Sequence, residues 1–293
     1  MTKTTSPAAA AGTWQLGSVT VNRLGFGAMR LMSTSDGRVR DRADAIAVLR
    51  RAVELGVNHI DTAAFYFHGP RSANELINSA LAPYVDDLVI TTKVGAGRDA
   101  SGNWLPDSAR PEQLRGQVEE NLRQLGRDQL DVVNLRIGMG LERGTGSLAD
   151  RFGALAELRQ EGLIRELGIS NVGPEHLAEA QAIAPVVCVQ NQYGISTRRE
   201  DDELIRLCAE QNVAFVPFFA VVNGDGAAEA RVAAVADRHG VTPAQVRLAW
   251  TLHQGPNVLA IPGTGDLGHL EQNVAAATLK LTDAELAEIG GNA

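Results

Sequence analysis

The feature that most limits what this chain can fold into is an alternation in which short β-branched runs and amphipathic helical stretches follow one another eight times. Strand-like runs occur at Leu24–Met29, Asn58–Asp61, Leu88–Lys93, Asp131–Arg136, Arg165–Ser170, Val186–Gln190, Ala214–Phe218 and Val258–Ile261. After them, apolar residues at helical spacing predict helices over Arg42–Leu55, Ser72–Ala82, Pro111–Leu125, Ser147–Glu161, Pro174–Ala184, Asp201–Gln211, Ala227–His239 and Leu267–Ala277. Pro111, Pro174 and Pro243 sit where a first helical turn accepts proline, and Gly56, Gly126, Gly162 and Gly240 sit where helices end. Strands joined through helices pair in parallel, and right-handed crossovers let eight of them close. The expected fold class is therefore α/β, a (β/α)8 (TIM) barrel, with an open doubly wound sheet as the alternative. Thr13–Leu16 and Ser18–Val21 flank Gly17 as a hairpin expected to cover the bottom of the barrel, and a helical tail ends the chain.

Length and charge narrow the partners. A chain of 293 residues, 44% of them hydrophobic, supplies one large core, so residues 13–293 are expected to be a single domain behind a disordered head at 1–12. The formal charge of −8 has no basic run to offset it, which argues against nucleic acid and anionic membrane and favours a small-molecule partner. Cys188 and Cys208 form no C-x-x-C pair and read as buried thiols in a reducing cytoplasm. The head lacks the apolar core of a signal peptide, and no apolar run is long enough to span a bilayer.

The strand ends carry the chemistry. Asp61 ends the second strand, Tyr66 follows in its loop, and Lys93 ends the third, at the face where a parallel barrel keeps its reactive groups. A phenol with an ordinary pKa of about 10 is a weak acid, and an adjacent ammonium favours its phenolate. The plainer reading is a structural ion pair beside an incidental tyrosine. Ser170 and Asn171, then Gln190 and Asn191, crown two more strands with groups that suit an amide-bearing ligand, or that simply cap helices. Phe218 and Phe219 offer an aromatic face or core packing. Gly263 to Gly268 matches G-x-G-x-x-G, but too little chain follows for a second βαβ half; it reads better as a loop whose N–H groups meet a phosphate at a helix N-terminus. The six histidines form no zinc-like cluster, so no metal site is expected; His59 reads as core and His68 as a lining of the substrate mouth.

Over nearly its whole length the sequence resembles the aldo-keto reductases. The resemblance is carried by Leu24-Gly25-Phe26-Gly27, Gly56 to Ala63 with Tyr66, Thr92-Lys93, Gly168-Ile169-Ser170-Asn171, Gln190-Asn191, and Ile261-Pro262-Gly263-Thr264 with Asn273. It implies reduction of an aldehyde or ketone by a nicotinamide dinucleotide, NADPH being expected and NADH the alternative. It makes Tyr66 the proton donor, Lys93 the group that lowers its pKa and Asp61 the orienting carboxylate. Ser170, Asn171 and Gln190 are implied to hold the carboxamide, Phe218 to stack on the ring, Gly263 and Thr264 to belong to the phosphate-facing loop, and Gln272 and Asn273 to lie near the adenine. Two positions depart from the family pattern. Arg136 ends the fourth strand where a carbonyl-orienting histidine is usual, and it is expected to point into the pocket beside Tyr66. Gly263 and His269 stand where a lysine and an arginine often meet the 2′-phosphate, with His269 a partial substitute. The rival class is a redox-sensing or regulatory module that keeps the cofactor site but turns over weakly because of Arg136.

Overall fold

Among the described residues, seven parallel strands form a curled sheet: β3 (Phe26–Gly27), β4 (His59–Asp61), β7 (Val89–Val94), β8 (Leu130–Arg136), β9 (Ile164–Ser170), β10 (Cys188–Gln190) and β11 (Ala214–Phe215). Across the sheet they lie in the order β11, β10, β9, β8, β7, β4, β3. The computed structural model describes residues 6–34, 36–97, 103, 105, 109–138, 140–197, 199–221 and 226–291. Residues 258–260 close the ring, since Val258 bridges Phe215 and Ala260 bridges Leu24, both in parallel. The seam is held by Leu259 N donating to Phe215 O at 2.9 Å and by Gly25 N donating to Ala260 O at 2.8 Å. The eight-membered parallel barrel expected from the alternation is thus formed.

Around the barrel run α1 (Arg42–Glu54), α2 (Ala73–Leu81), α3 (Pro111–Leu125), α4 (Ala149–Gln160), α5 (Pro174–Gln181), α6 (Asp202–Glu210), α7 (Gly226–His239), α8 (Pro243–His253), α9 (Leu267–Ala275) and α10 (Asp283–Gly290). Their starts follow the sequence signals. Thr242 caps α8 by accepting from Gln245 N at 3.3 Å while its own N–H reaches Gln245 Oε1 at 3.0 Å. The hairpin β1 (Thr13–Leu16) and β2 (Val19–Asn22) inserts Leu16 and Val21 into the apolar cluster of Val89, Val132, Val187, Val216 and Leu259. Burying each of these two side chains contributes roughly 2 kcal/mol.

The differences from the sequence reading have local causes. The first barrel strand is shorter than Leu24–Met29, because Ala28–Arg30 turns into a 3₁₀ helix. It runs close to the closing segment: a Cβ placed on Gly27 would meet Ile261 O at 2.7 Å, so only glycine admits this approach. A second hairpin, β5 (Phe67–His68) with β6 (Arg71–Ser72), reverses at Gly69-Pro70 just after Tyr66; it is too short to show a periodicity. The head expected to be disordered is ordered in part. Pro7–Ala11 is a 3₁₀ helix with Ala8 fully buried and its N–H on Leu55 O at 3.0 Å, whereas residues 1–5 lie outside the described residues. Thr282 caps the last helix in the same way as Thr242 caps α8, and Ile289 buries it.

His59 lies in β4 with its Nε2 3.0 Å from Thr91 Oγ1, and burial pushes its pKa down to about 4. It is therefore neutral in the fold and takes up a proton on unfolding at any pH between its ordinary value near 6.5 and about 4. Stability should fall as pH drops through that window, by on the order of 3 kcal/mol. The urea midpoint of His59→Gln is expected to fall less between pH 6.5 and pH 4 than that of the wild type; equal falls would place the acid sensitivity elsewhere.

Candidate active site

The C-terminal ends of the strands converge on a cavity of about 390 Å³ whose wall includes Asp61, Tyr66, Lys93, Arg136, Phe218 and Gly263. Each comes from a strand end or from the loop just past it. Asp61 is the last residue of β4, Lys93 the penultimate residue of β7 and Arg136 the last of β8. Tyr66 is fixed in its loop by its N–H on Ala63 O at 2.9 Å and by its carbonyl, which accepts from Ala73 N at 2.9 Å.

The centre of the arrangement is a buried ion pair. Lys93 Nζ donates to Asp61 Oδ1 at 2.6 Å and to Thr62 O at 3.0 Å, and both charged side chains are within a few per cent of full burial. Gln190 Nε2 donates to the second carboxylate oxygen, Asp61 Oδ2, at 2.7 Å. Burial opposes the charge on Lys93, but attraction to Asp61 and Tyr66 outweighs it, so the ammonium holds its proton more tightly than usual. The same ammonium lies 5.0 Å from the centroid of the Tyr66 ring. Burial raises the phenol pKa, and Lys93 pulls it down without overcoming that rise. Lys93 thus acts on the phenol in the expected direction, but removal of the phenolate from water is the larger effect and leaves the net pKa raised.

The remaining candidates fall into groups. Ser170, Asn171 and Gln190 are fully buried and lie outside the cavity wall. Ser170 Oγ accepts from Arg136 Nη1 at 3.3 Å. Asn171, with a left-handed φ of 66°, donates through Nδ2 to Ile137 O at 3.0 Å and to Glu142 O. Those acceptors fix the amide so that Oδ1 is the remaining atom. Asn171 Oδ1 and Gln190 Oε1 are buried acceptors without a partner among the described residues. Asn191 holds Val172 and Asp201 instead of facing the cavity. His68 is exposed on β5 and is not part of the wall expected of it, because the β5/β6 hairpin holds it at the surface; Phe65 lines the cavity in that region.

Thr264 lies just before α9, and His269, Gln272 and Asn273 lie along it, apart from the cavity wall. Asp266 caps this helix by accepting from His269 N at 2.8 Å, and Thr264 Oγ1 accepts from Asp266 N at 3.1 Å. The His269 and Gln272 side chains face solvent, whereas Asn273 is buried. No sequence signal points to Arg40, whose Nη1 donates to Gly265 O at 2.8 Å and whose buried Nε has no partner among the described residues. A Cβ on Gly265 would lie 2.1 Å from that Nε, so the glycine makes room for the guanidinium. Arg40 and Gly265 are far apart in the chain, and no local pattern links them.

The model of the aldo/keto reductase family matches residues 23–291. The chain belongs to the aldo/keto reductase family. It is 47% identical over 282 residues to the pyridoxine 4-dehydrogenase of Escherichia coli, covering 95% of this chain and 97% of that protein. Among solved aldo-keto reductases, a thermostable one in complex with the inhibitor epalrestat superposes with a TM-score of 0.78 at 27% identity, covering 96% of this chain and 99% of that one. One from Klebsiella pneumoniae, solved with NADP and acetate, gives 0.76 at 26% identity, over 94% and 93% of the two chains. This aldo/keto reductase is thus an oxidoreductase whose barrel is shared with its relatives.

Breaking one side of a buried ion pair strands the other charge. Asp61→Asn or Lys93→Met alone should each destabilise the protein by about 3–5 kcal/mol. The double variant should lose less than the sum by more than about 1 kcal/mol, read by equilibrium denaturation. Additive losses would mean that the two side chains do not sense one another.

Proposed function

We propose that the protein interconverts an aldehyde or ketone and the corresponding alcohol with NADP(H), in the direction of reduction with NADPH, and that the pyridoxal and pyridoxine pair is its first candidate substrate. The observation that carries this reading is the Asp61–Lys93 ion pair beside Tyr66 in the wall of one cavity, with Gln190 Nε2 donating to Asp61 from behind it. The substrate candidate rests on the E. coli relative, named a pyridoxine 4-dehydrogenase, which matches almost end to end.

The residues fit the cofactor. A nicotinamide carboxamide brings two N–H donors and one carbonyl, and Asn171 Oδ1 and Gln190 Oε1 are two buried acceptors in need of donors. Phe218 in the cavity wall supplies an apolar face for a flat ring. When bound, NADPH supplies the hydride. Tyr66 delivers the proton to the carbonyl oxygen, so that charge does not accumulate there. Its raised pKa keeps the phenol protonated at neutral pH, and Lys93 stabilises the phenolate left behind. Asp61 keeps Lys93 charged and, with Thr62 O, fixes its ammonium. Cys188 and Cys208, both free and buried, support a reducing, cytoplasmic setting.

Tyr66→Phe should lower kcat for pyridoxal reduction by about a hundredfold to ten-thousandfold. NADPH affinity, followed by fluorescence titration, should change little. Retained turnover would remove Tyr66 from the reaction, and NADPH binding without turnover of any aldehyde by the wild type would favour the sensor reading.

For the cofactor's 2′-phosphate, Arg40 over Gly265 lies between Gly263 and His269, the positions that lack the usual cations. Arg40→Gln is expected to weaken NADPH binding by about tenfold, in line with the loss of one charge-assisted hydrogen bond, and to leave NADH nearly unaffected. Equal weakening of both in parallel titrations would place Arg40 away from that phosphate.

A further inference from the structure

We propose that Asn74 and Asn121 are positioning residues of this site, a buried pair of amides that holds the Thr62 carbonyl against the Lys93 ammonium and so keeps that charge beside Tyr66. This inference rests on the carbonyl-reductase reading and concerns how its proton donor is supported.

An ammonium carries three protons and turns freely about its last bond, so its acceptors decide where it stays. Two of them hold Lys93: Asp61 Oδ1 at 2.6 Å and Thr62 O at 3.0 Å. With two directions taken the third is set, and the centroid of the Tyr66 ring lies 5.0 Å from Nζ. Asp61 is itself steadied by Gln190 Nε2 on its other oxygen. Thr62 stands one residue past the end of β4, with its N–H on Thr91 O at 2.8 Å, and its side chain supplies a second anchor.

That anchor comes from the outer helices. Successive residues of a strand face opposite sides, so Asp61 and Lys93 face the cavity while Thr62 and Thr92 beside them face α2 and α3. Thr62 Oγ1 donates to Asn74 Oδ1 at 2.8 Å, and Asn74 Nδ2 donates to Asn121 Oδ1 at 2.9 Å. Thr92 Oγ1 donates to the same Asn121 oxygen at 2.6 Å. Asn121 Nδ2 ends the chain on Gln117 O at 2.8 Å, and Gln117 Oε1 accepts from Gly95 N at 2.7 Å. The two helices thus grip the residue after Asp61 and the backbone on either side of Lys93.

Thr62, Asn74, Thr92 and Asn121 are all fully buried, and among the described residues none of them has a buried polar atom without a partner. The polarity of the chain is set from one end. Asn121 turns its nitrogen to the Gln117 carbonyl, which leaves its oxygen for Asn74 and Thr92, and Asn74 then presents its own oxygen to the Thr62 hydroxyl. Apolar side chains would join these helices to the strands at less cost in desolvation. Amides add direction, and a fully satisfied network stiffens the strand ends that carry the ion pair. Without it the ammonium would follow Asp61 alone. Its attraction to a phenolate falls with distance, so the Tyr66 proton would leave less readily. Neither asparagine stands in the wall of the cavity that holds Tyr66, so cofactor binding is not at stake.

The test is a mutant cycle on kcat for aldehyde reduction with NADPH. Asn74→Leu and Asn121→Leu should each lower kcat by about tenfold, the scale of one hydrogen bond, and together by little more than either alone. In Tyr66→Phe, where no phenol is left for Lys93 to act on, each should cost less than about twofold. NADPH affinity by fluorescence titration should stay within about twofold throughout. Thr62→Val, which loses only the hydroxyl's hydrogen bond, should reproduce the loss, and Thr62→Ser should recover most of it. Equal fold losses in the wild-type and Tyr66→Phe backgrounds would mean a general loosening of the cavity and overturn this inference alone. If the leucine variants do not fold, or Tyr66→Phe does not turn over, the Thr62 pair decides: the same kcat in Thr62→Val and Thr62→Ser overturns the inference. No reduction of any aldehyde by the wild type overturns the reductase reading and this inference together.

Discussion

The site depends on one buried ion pair. Asp61 and Lys93 are almost wholly withdrawn from water, and two charges in that situation persist only with good geometry and further hydrogen bonds. Thr62 O takes a second ammonium proton and Gln190 Nε2 meets the second carboxylate oxygen. Asp61 and Lys93 come from the neighbouring strands β4 and β7, and Gln190 comes from β10 across the barrel, so it is the curl of the sheet that brings the third partner to the pair. Tyr66 inherits its environment from the pair: the desolvation that strengthens the Lys93 attraction also raises the phenol, and the second effect wins.

Most of the architecture was legible because barrels are built from local signals. Pro111, Pro174 and Pro243 begin helices where expected, and Asp61, Lys93, Arg136, Ser170 and Gln190 each end a strand or sit one residue from its end. The seam was legible only as a strand-like run at Val258–Ile261; its pairing with both Phe215 and Leu24 is a property of ring closure. The short β5/β6 hairpin was missed because two residues per strand give no periodicity, and its position explains why His68 stays at the surface. Composition misled at residues 7–11, where small residues that look like a loose head pack Ala8 beneath α1.

Long-range polar contacts were the least legible. Arg40 meets Gly265 across more than two hundred residues, and a glycine without a Cβ is the only trace the contact leaves in the sequence. Asn171 and Gln190 were recognisable as polar strand ends, but only the structure shows that one end of each amide is used by the protein while the other remains an unpaired acceptor. Membership of the aldo/keto reductase family links these features to a common scaffold, and Arg136 marks where this chain departs from the pattern its sequence resembles.

The central claim is that this cavity passes a hydride to a carbonyl carbon while Tyr66 protonates the oxygen. Supplying the wild-type protein with pyridoxal and NADPH deuterated at the transferable position of the nicotinamide ring, in ordinary water, tests it most directly by mass spectrometry of the product. The account predicts pyridoxine carrying one deuterium on the carbon that was the aldehyde. Pyridoxine without deuterium, or no pyridoxine at all, would contradict it.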